Sequence, residues 1–336
     1  METAEFYRFC ESIAENSIWS DPSLSNAAKL LVLVGPTAVG KTRLSLELAQ
    51  TYNCEIISGD SMQVYRGMDI GTAKATEEER SLIPHHLIDI HMPDYPFSVA
   101  EFQERARTLI DEISGRGKLP FIVGGTGLYV ESVCYDYQFA ERGMDEAFRE
   151  EQRLYALEHG DEALHRKLQE IDPETAQRIH PNDQRRVIRA LEMFHTTGMK
   201  MSEQLAGQKK ESPYELCIVG LTMDRDLLYK RIEQRIDGML EQGLVGEVKQ
   251  LLDQGYGMDL ISMQGLGYKE IAAYLHGTYS LEEAVTLLKR DTRHFAKRQL
   301  SWFRHMKDIQ WVDVTDQANF SAHIEAIHAI IAEKLT

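Results

Sequence analysis

Leu30-Leu31-Val32-Leu33-Val34 is apolar at every position and runs straight into Gly35-Pro36. A short run without polar alternation predicts a parallel strand buried on both faces. Cys54-Glu55-Ile56-Ile57, Phe121-Ile122-Val123 and Leu216-Cys217-Ile218-Val219-Gly220-Leu221 have the same character, and a closing strand is expected at 309–314. Helical spacing fills the intervals. The clearest case follows Ser98-Val99-Ala100-Glu101, which reads as a capping box, with Phe102, Ala106 and Leu109 on one helical face. Gly115-Arg116-Gly117-Lys118-Leu119-Pro120 punctuates the return to a strand. Alternating strand and helix predicts an α/β fold built on a doubly wound, mainly parallel sheet.

The middle of the chain breaks this rhythm. Residues 141–212 are charged and helical in pattern, which predicts a helical insertion domain between two portions of the core, 29–140 and 213–336. Residues 1–28 read as an N-terminal extension.

Composition narrows the function. Across 336 residues, 37 Lys and Arg face 53 Asp and Glu, a net charge of −16, which excludes a generally basic nucleic-acid coat but not a local basic face. The four cysteines, Cys10, Cys54, Cys134 and Cys217, are far apart, so reduced thiols are expected rather than zinc fingers or a disulfide scaffold. The start lacks an apolar signal core, and no apolar run approaches the ~20 residues that cross a bilayer. A cytoplasmic protein is expected, with monomer as the default.

The sharpest local pattern is Gly35-Pro36-Thr37-Ala38-Val39-Gly40-Lys41-Thr42, a G-x-x-x-x-G-K-[ST] P-loop between an apolar strand and a helix. Such a loop turns backbone N–H groups inward around phosphate at a helix N-terminus. Lys41 adds positive charge and Thr42 a hydroxyl suited to Mg2+. The core is therefore expected to be P-loop NTPase-like. The motif denotes polyphosphate binding and leaves the reaction open.

Three residues near other strand ends join the list. Asp60, in Ser58-Gly59-Asp60-Ser61, fits a metal ligand, a general base or a helix N-cap. Thr126 fits either a hydrogen-bond donor at the site or part of a strand-to-helix turn. Arg225 is either a second cation for a diphosphate or a solvated loop charge. All three follow the carboxyl ends of predicted strands, where open α/β sheets bind ligands. The strand before Asp60 is expected to border the P-loop strand.

Two helices carry clustered cations. Arg290, Arg293, Lys297 and Arg304 fall within an arc of about 60°, opposite Leu288, Phe295 and Trp302. Arg185, Arg186 and Arg189 share a face opposite Val187, Ile188 and Leu191. In so acidic a chain, two such ridges point to an anionic polymer. His85, His86 and His91 lack the spacing of a zinc site.

Taken in order, these segments resemble the tRNA dimethylallyltransferases. The similarity runs through the P-loop, 58–66 (Ser-Gly-Asp-Ser-Met-Gln-Val-Tyr-Arg), 71–74, 84–89, 97–102, 123–129, 182–186, 267–270 and 297–304. It covers about residues 30–305. The resemblance implies transfer of a dimethylallyl group from dimethylallyl diphosphate to N6 of the adenosine at tRNA position 37, just 3′ of the anticodon. It further implies that residues 35–42, with Mg2+ at Thr42 and with Arg225, hold the donor diphosphate. Asp60 becomes the general base and Thr126 its partner at the target amine. The tRNA contacts it implies are Asp60, Ser61, Met62, Gln63 and Thr126, then Gln184, Arg185, Arg186, Val187 and Ile188. A last group comprises Lys297, Arg298, Gln299, Leu300, Ser301, Trp302, Phe303 and Arg304. The insertion would clasp the anticodon stem, and the target base would flip into a channel entered by the donor from the other end.

Val39 departs from the small residue usual at its position. A further tRNA contact near the start of the insertion falls on Phe148 or Arg149. No Cys pair of the kind in the zinc finger of eukaryotic members follows the last motif, so a bacterial-type member is expected. Two other readings compete: a P-loop small-molecule or nucleoside kinase, which leaves the basic helices idle, and an NTP-switched RNA-binding module, which makes Asp60 and Thr126 incidental.

Overall fold

The computed structural model describes residues 27–139, 145–208 and 211–335. The expected N-terminal extension, except its last two residues, and Cys10 lie outside them. Inter-residue contacts divide the chain into two units, one taking the described residues up to Tyr135 and from Ser212 onward, the other Asp136–Glu211.

The larger unit opens with β1 (Lys29–Val34), α1 (Lys41–Thr51), β2 (Cys54–Gly59), α2 (Glu77–Leu82), β3 (His85–His86), α3 (Val99–Gly115), β4 (Leu119–Gly124) and α4 (Gly127–Cys134). The smaller unit holds α5 (Glu146–His159), α6 (Asp161–Ile171), α7 (Pro173–Arg178), α8 (Gln184–Thr197) and α9 (Met201–Ala206). The larger unit resumes with β5 (Glu215–Thr222), α10 (Arg225–Glu241), α11 (Leu244–Asp253), α12 (Tyr268–Leu275), α13 (Leu281–Phe303), β6 (Ile309–Asp313) and α14 (Phe320–Leu335).

The six strands form one sheet in the order β3-β2-β4-β1-β5-β6, and every pairing is parallel. Leu30 to Val34 are buried throughout, as a strand covered on both faces must be. The sheet corrects one expectation: β2 does not border β1, because β4 lies between them. Asp60 is thus one strand further from the P-loop than the sequence suggests. The intervening strand ends in glycine, which keeps its exit low. Gly124 stands opposite Gly59, and a Cβ on Gly124 would come within 2.3 Å of the Gly59 carbonyl oxygen. The loops leaving β2 and β4 can therefore lie close together at the carboxyl edge.

Two small elements escape the sequence reading. β3 is only two residues long, too short for any period, and α2 has no buried residue to mark an apolar face. Ser98 does cap α3 by accepting from the Glu101 amide at 3.2 Å, but Glu101 does not complete the box. Its carboxylate instead meets His91 at 3.0 Å, Tyr95 at 3.0 Å and Arg105 at 2.8 Å.

In the smaller unit, Leu164 and Leu168 of α6, Ala176 of α7 and Val187, Ile188 and Leu191 of α8 form a common core. Cys54, Cys134 and Cys217 are free and buried, and burial pushes the thiol pKa values up. No helix among the described residues is long and apolar enough to cross a membrane.

Candidate active site

The P-loop fits tightly against β5. Gly35 has φ +155°, and a Cβ there would sit 3.0 Å from Leu221 O. Gly40 has φ +111°, so glycine is favoured there too. Gly40 precedes α1 without a side-chain cap, and the first turn carries no acid. The amides of that turn and the positive end of the helix dipole are thus presented to an anion. Val39, the departure from the family pattern, is buried at 1% exposure and lies outside the cavity wall.

Lys41 Nζ donates to Gly35 O and Pro36 O, both at 2.9 Å, which holds its charge over the loop. Burial, reinforced by the nearby Arg235, lowers its pKa to about 7, and Asp60 opposes the shift. Lys41, Thr42, Asp60, Arg231 and Arg235 all line one cavity of about 620 Å³. Burial also lowers the pKa of Arg235, against the favourable charge of Asp60. Lys41, Arg231, Arg235 and the Asp60 carboxylate thus converge where phosphate would sit, while Arg43, also in the wall, lays its guanidinium over the Phe320 ring at 3.9 Å.

The arginines come from a part of α10 that sequence reasoning missed. Arg225 is 77% exposed at its side chain, lies 3.3 Å from Asp226 Oδ1 and takes no part in the cavity wall. It stands at the start of α10 beside Asp224, which caps the helix by accepting from the Asp226 and Leu227 amides at 3.0 Å each. Arg231 and Arg235, four residues apart, share the face toward the cavity. Arg231 Nε donates to Ala38 O at 2.8 Å, bracing the P-loop. The available signal was that i, i+4 pair, each arginine preceding a buried isoleucine (Ile232, Ile236).

A second cavity of about 300 Å³ shares Thr37, Asp60, Thr72, Arg235 and Phe295 with the first. Its own wall includes Ser61, Met62, Thr126, Ile236, Tyr268 and Arg298. Asp60 therefore faces both the phosphate side and the side bearing Thr126. Its Oδ1 accepts from the Met62 amide at 2.8 Å, a local turn rather than a helix N-cap. Thr126 precedes α4 without capping it; its Oγ1 accepts from the Ser61 amide at 3.1 Å instead. Gln63 Oε1 accepts from Ser58 Oγ at 2.8 Å, and its Nε2 donates to the Thr72 and Ala73 carbonyls at 3.3 and 3.4 Å.

The proposed tRNA segments split by face. Arg185, Arg186 and Arg189 are exposed on α8, whereas Val187 and Ile188 belong to the core of the smaller unit. Gln184 Nε2 donates to Asp161 Oδ1 at 2.6 Å. Phe148 packs against that core and stacks on His195 at 4.3 Å, while Arg149 pairs with the buried Glu192 at 2.8 Å. On α13 and just beyond it, Lys297, Arg298, Ser301, Trp302 and Arg304 are exposed, Leu300 is half-buried, and Gln299 and Phe303 are buried. Three features of the expected ridge change, the first being that Arg290 pairs with Asp291 at 2.8 Å. Arg293 is tied to Glu233 at 2.6 Å, and Trp302, placed by periodicity on the apolar side, is 40% exposed against Gly127.

The three histidines each have local partners, and His85 also lines the larger cavity. His86 Nε2 meets Glu55 Oε2 at 2.7 Å, His85 Nδ1 meets Ile83 O at 2.7 Å, and His91 stacks on Tyr95 at 3.7 Å. Among the described residues, no group of three or more His, Cys, Asp or Glu side chains could hold a metal.

A parallel sheet with a P-loop and a carboxylate at its carboxyl edge defines an α/β protein of the P-loop type. The family model for IPP transferase matches residues 63–306. The chain belongs to that family, the tRNA dimethylallyltransferases, and the resemblance read from its motifs is borne out. It is 55% identical over 306 residues to the tRNA dimethylallyltransferase of Bacillus pumilus, covering 91% of this chain and 96% of that one. Among solved structures, the full-length tRNA isopentenylpyrophosphate transferase of Bacillus halodurans is 52% identical with a TM-score of 0.70, over 91% of this chain and 96% of that one. A eukaryotic dimethylallyltransferase solved acting on tRNA is 31% identical with a TM-score of 0.78, over 91% and 78%. Membership disfavours the kinase and NTP-switch readings.

Proposed function

We propose that this chain transfers the dimethylallyl group of dimethylallyl diphosphate to N6 of adenosine 37 in tRNA, releasing diphosphate. The observation that carries the proposal is the position of Asp60, in the wall common to the P-loop cavity and the cavity bearing Thr126. One cavity has the cations for a diphosphate. The other has aromatic and apolar side chains, with Arg298 in its wall, for a flipped base.

The exocyclic amine of adenine is a weak nucleophile because its lone pair is delocalised into the ring. Asp60 takes its proton as the N6–C1 bond forms and the C1–O bond to diphosphate breaks. Lys41, Arg231, Arg235 and the P-loop amides stabilise the charge growing on the leaving group. Thr126 orients the amine. The exposed arginines of α8 and α13 hold anticodon-loop phosphates while the base leaves its stack.

Mg2+ fits the donor set. Thr42 lines the phosphate cavity, and a hydroxyl completed by phosphate oxygens and water suits this ion. When bound, it would neutralise further charge on the diphosphate.

The decisive experiment incubates the protein with labelled dimethylallyl diphosphate and unmodified tRNA, and in parallel with γ-labelled ATP. Label on the tRNA supports the proposal. Phosphate transfer to a small acceptor without prenylation overturns it in favour of a kinase.

A further inference from the structure

Thr126 stands between two glycines, and both are fixed by side chains of α13. A Cβ on Gly125 would lie 2.3 Å from Gln299 Nε2, and one on Gly127 would lie 2.4 Å from Trp302 Cδ1. Gln299 and Trp302 are three residues apart and so lie on the same side of the helix. Trp302 Nε1 donates to Glu131 Oε2 of α4 at 2.8 Å. Gln299 does more. Its Oε1 accepts from the Thr37 amide of the P-loop at 2.8 Å, and its Nε2 donates to Gly125 O at 2.9 Å. At 6% exposure, it has both ends of its amide committed to backbone.

We infer that Gln299 is a positioning residue, which locks the P-loop to the Gly125-Thr126-Gly127 turn and so fixes the separation of leaving diphosphate and acceptor amine. This assignment rests on the transferase reading above. It differs from the role its sequence segment suggests, since a buried amide with both ends engaged does not reach RNA. The exposed neighbours on α13 meet the polymer, while Gln299 ties the same helix to both substrate sites. Reaction between two separately held groups is sensitive to their spacing, a misplacement of about 1 Å costing on the order of 10²-fold in rate.

Gln299→Met keeps the length and removes both hydrogen bonds. Gln299→Glu keeps the shape and the acceptor for Thr37 but sets an oxygen against the Gly125 carbonyl. Three quantities separate positioning from contact or folding: the single-turnover transfer rate at saturating substrates, tRNA affinity by filter binding, and inorganic pyrophosphate affinity by calorimetry. Melting temperature is recorded for each variant. The inference expects tRNA affinity within about twofold of wild type, a transfer rate lowered by about 10²-fold in Gln299→Met, and a smaller loss in Gln299→Glu. Pyrophosphate affinity should fall by about fivefold or more in Gln299→Met.

Normal transfer in both variants, or a loss confined to tRNA binding, overturns the assignment. If Gln299→Met does not fold, the Gln299→Glu rate and pyrophosphate affinity decide. Pyrophosphate binding requires no transfer, so a wild-type protein that fails to prenylate tRNA would defeat the functional reading while leaving the clamp to be judged by that affinity.

Discussion

The Ser61 amide donates to Thr126 Oγ1 at 3.1 Å, binding the loop that leaves β2 to the loop that leaves β4. The Thr126 amide returns the tie by donating to Gly59 O at 3.2 Å. Asp60 therefore has a fixed place at the site although β4 separates its strand from the P-loop strand. Among the described residues, the Thr126 hydroxyl proton has only Ser61 Oγ at 3.5 Å as acceptor, the outer limit of a hydrogen bond. It is available for a substrate.

Asp60→Asn tests the base. An asparagine retains an oxygen for the Met62 amide, so the local turn and the stability should survive. The amide cannot take a proton at neutral pH, and the single-turnover rate should fall by about 10²–10⁴-fold with tRNA binding preserved. Near-normal turnover removes Asp60 from this role.

Thr126 separates hydroxyl from shape. Thr126→Val keeps the volume but leaves the Ser61 amide without its acceptor and the amine without its partner, and should lower the rate by about 10²-fold. Thr126→Ser should stay within about fivefold of wild type, because the hydroxyl remains. Equal losses in the two variants would show that packing rather than the hydroxyl matters.

Much of this was legible in the sequence because it depends on local pattern. The P-loop is contiguous, and the carboxyl ends of strands are marked by glycine. Strand order was not, since nothing in Cys54–Gly59 or Leu119–Gly124 states which strand pairs with β1. The cations of α10 failed for a related reason. Arg225 lies nearest a strand end in sequence, but the helical repeat turns Arg231 and Arg235 toward the phosphate side. On α13, periodicity assigns faces but not neighbours. It could not show that Gly127 leaves room for Trp302, or that Glu233 claims Arg293.

Among the described residues, Lys297, Arg298 and Arg304 of the 297–304 segment have no ion pair, and since Arg298 lines the second cavity, Lys297 and Arg304 test the electrostatic share of RNA binding. Replacing both with glutamine should weaken tRNA binding and reduce the slope of log K against log salt by about 1–2. Transfer at saturating tRNA should change little. Filter binding across a salt series reads the slope, and parallel lines for mutant and wild type would count against these contacts.

His328 predicts how stability responds to acid. It is 5% exposed on α14, with Nδ1 2.6 Å from the Tyr52 hydroxyl of the helix α1 C-cap. Burial lowers its pKa from 6.5 to about 4. Between those values the unfolded chain binds a proton that the native chain does not, so the stability it contributes is full above about pH 6.5 and is lost as pH falls toward 4. Glu55 acts in a lower window. Burial alone would raise its pKa, but hydrogen bonds from Arg116, His86 and Lys118 hold it at about 2, so its contribution disappears only below the ordinary carboxylate range. Urea midpoints at pH 7.5, 6.5, 6 and 5 should therefore decline in the wild type. In His328→Phe, the pH 7.5 midpoint should fall through loss of the Tyr52 bond, and the decline between pH 6.5 and 5 should flatten. An unchanged decline in that interval would mean that other groups set the acid response.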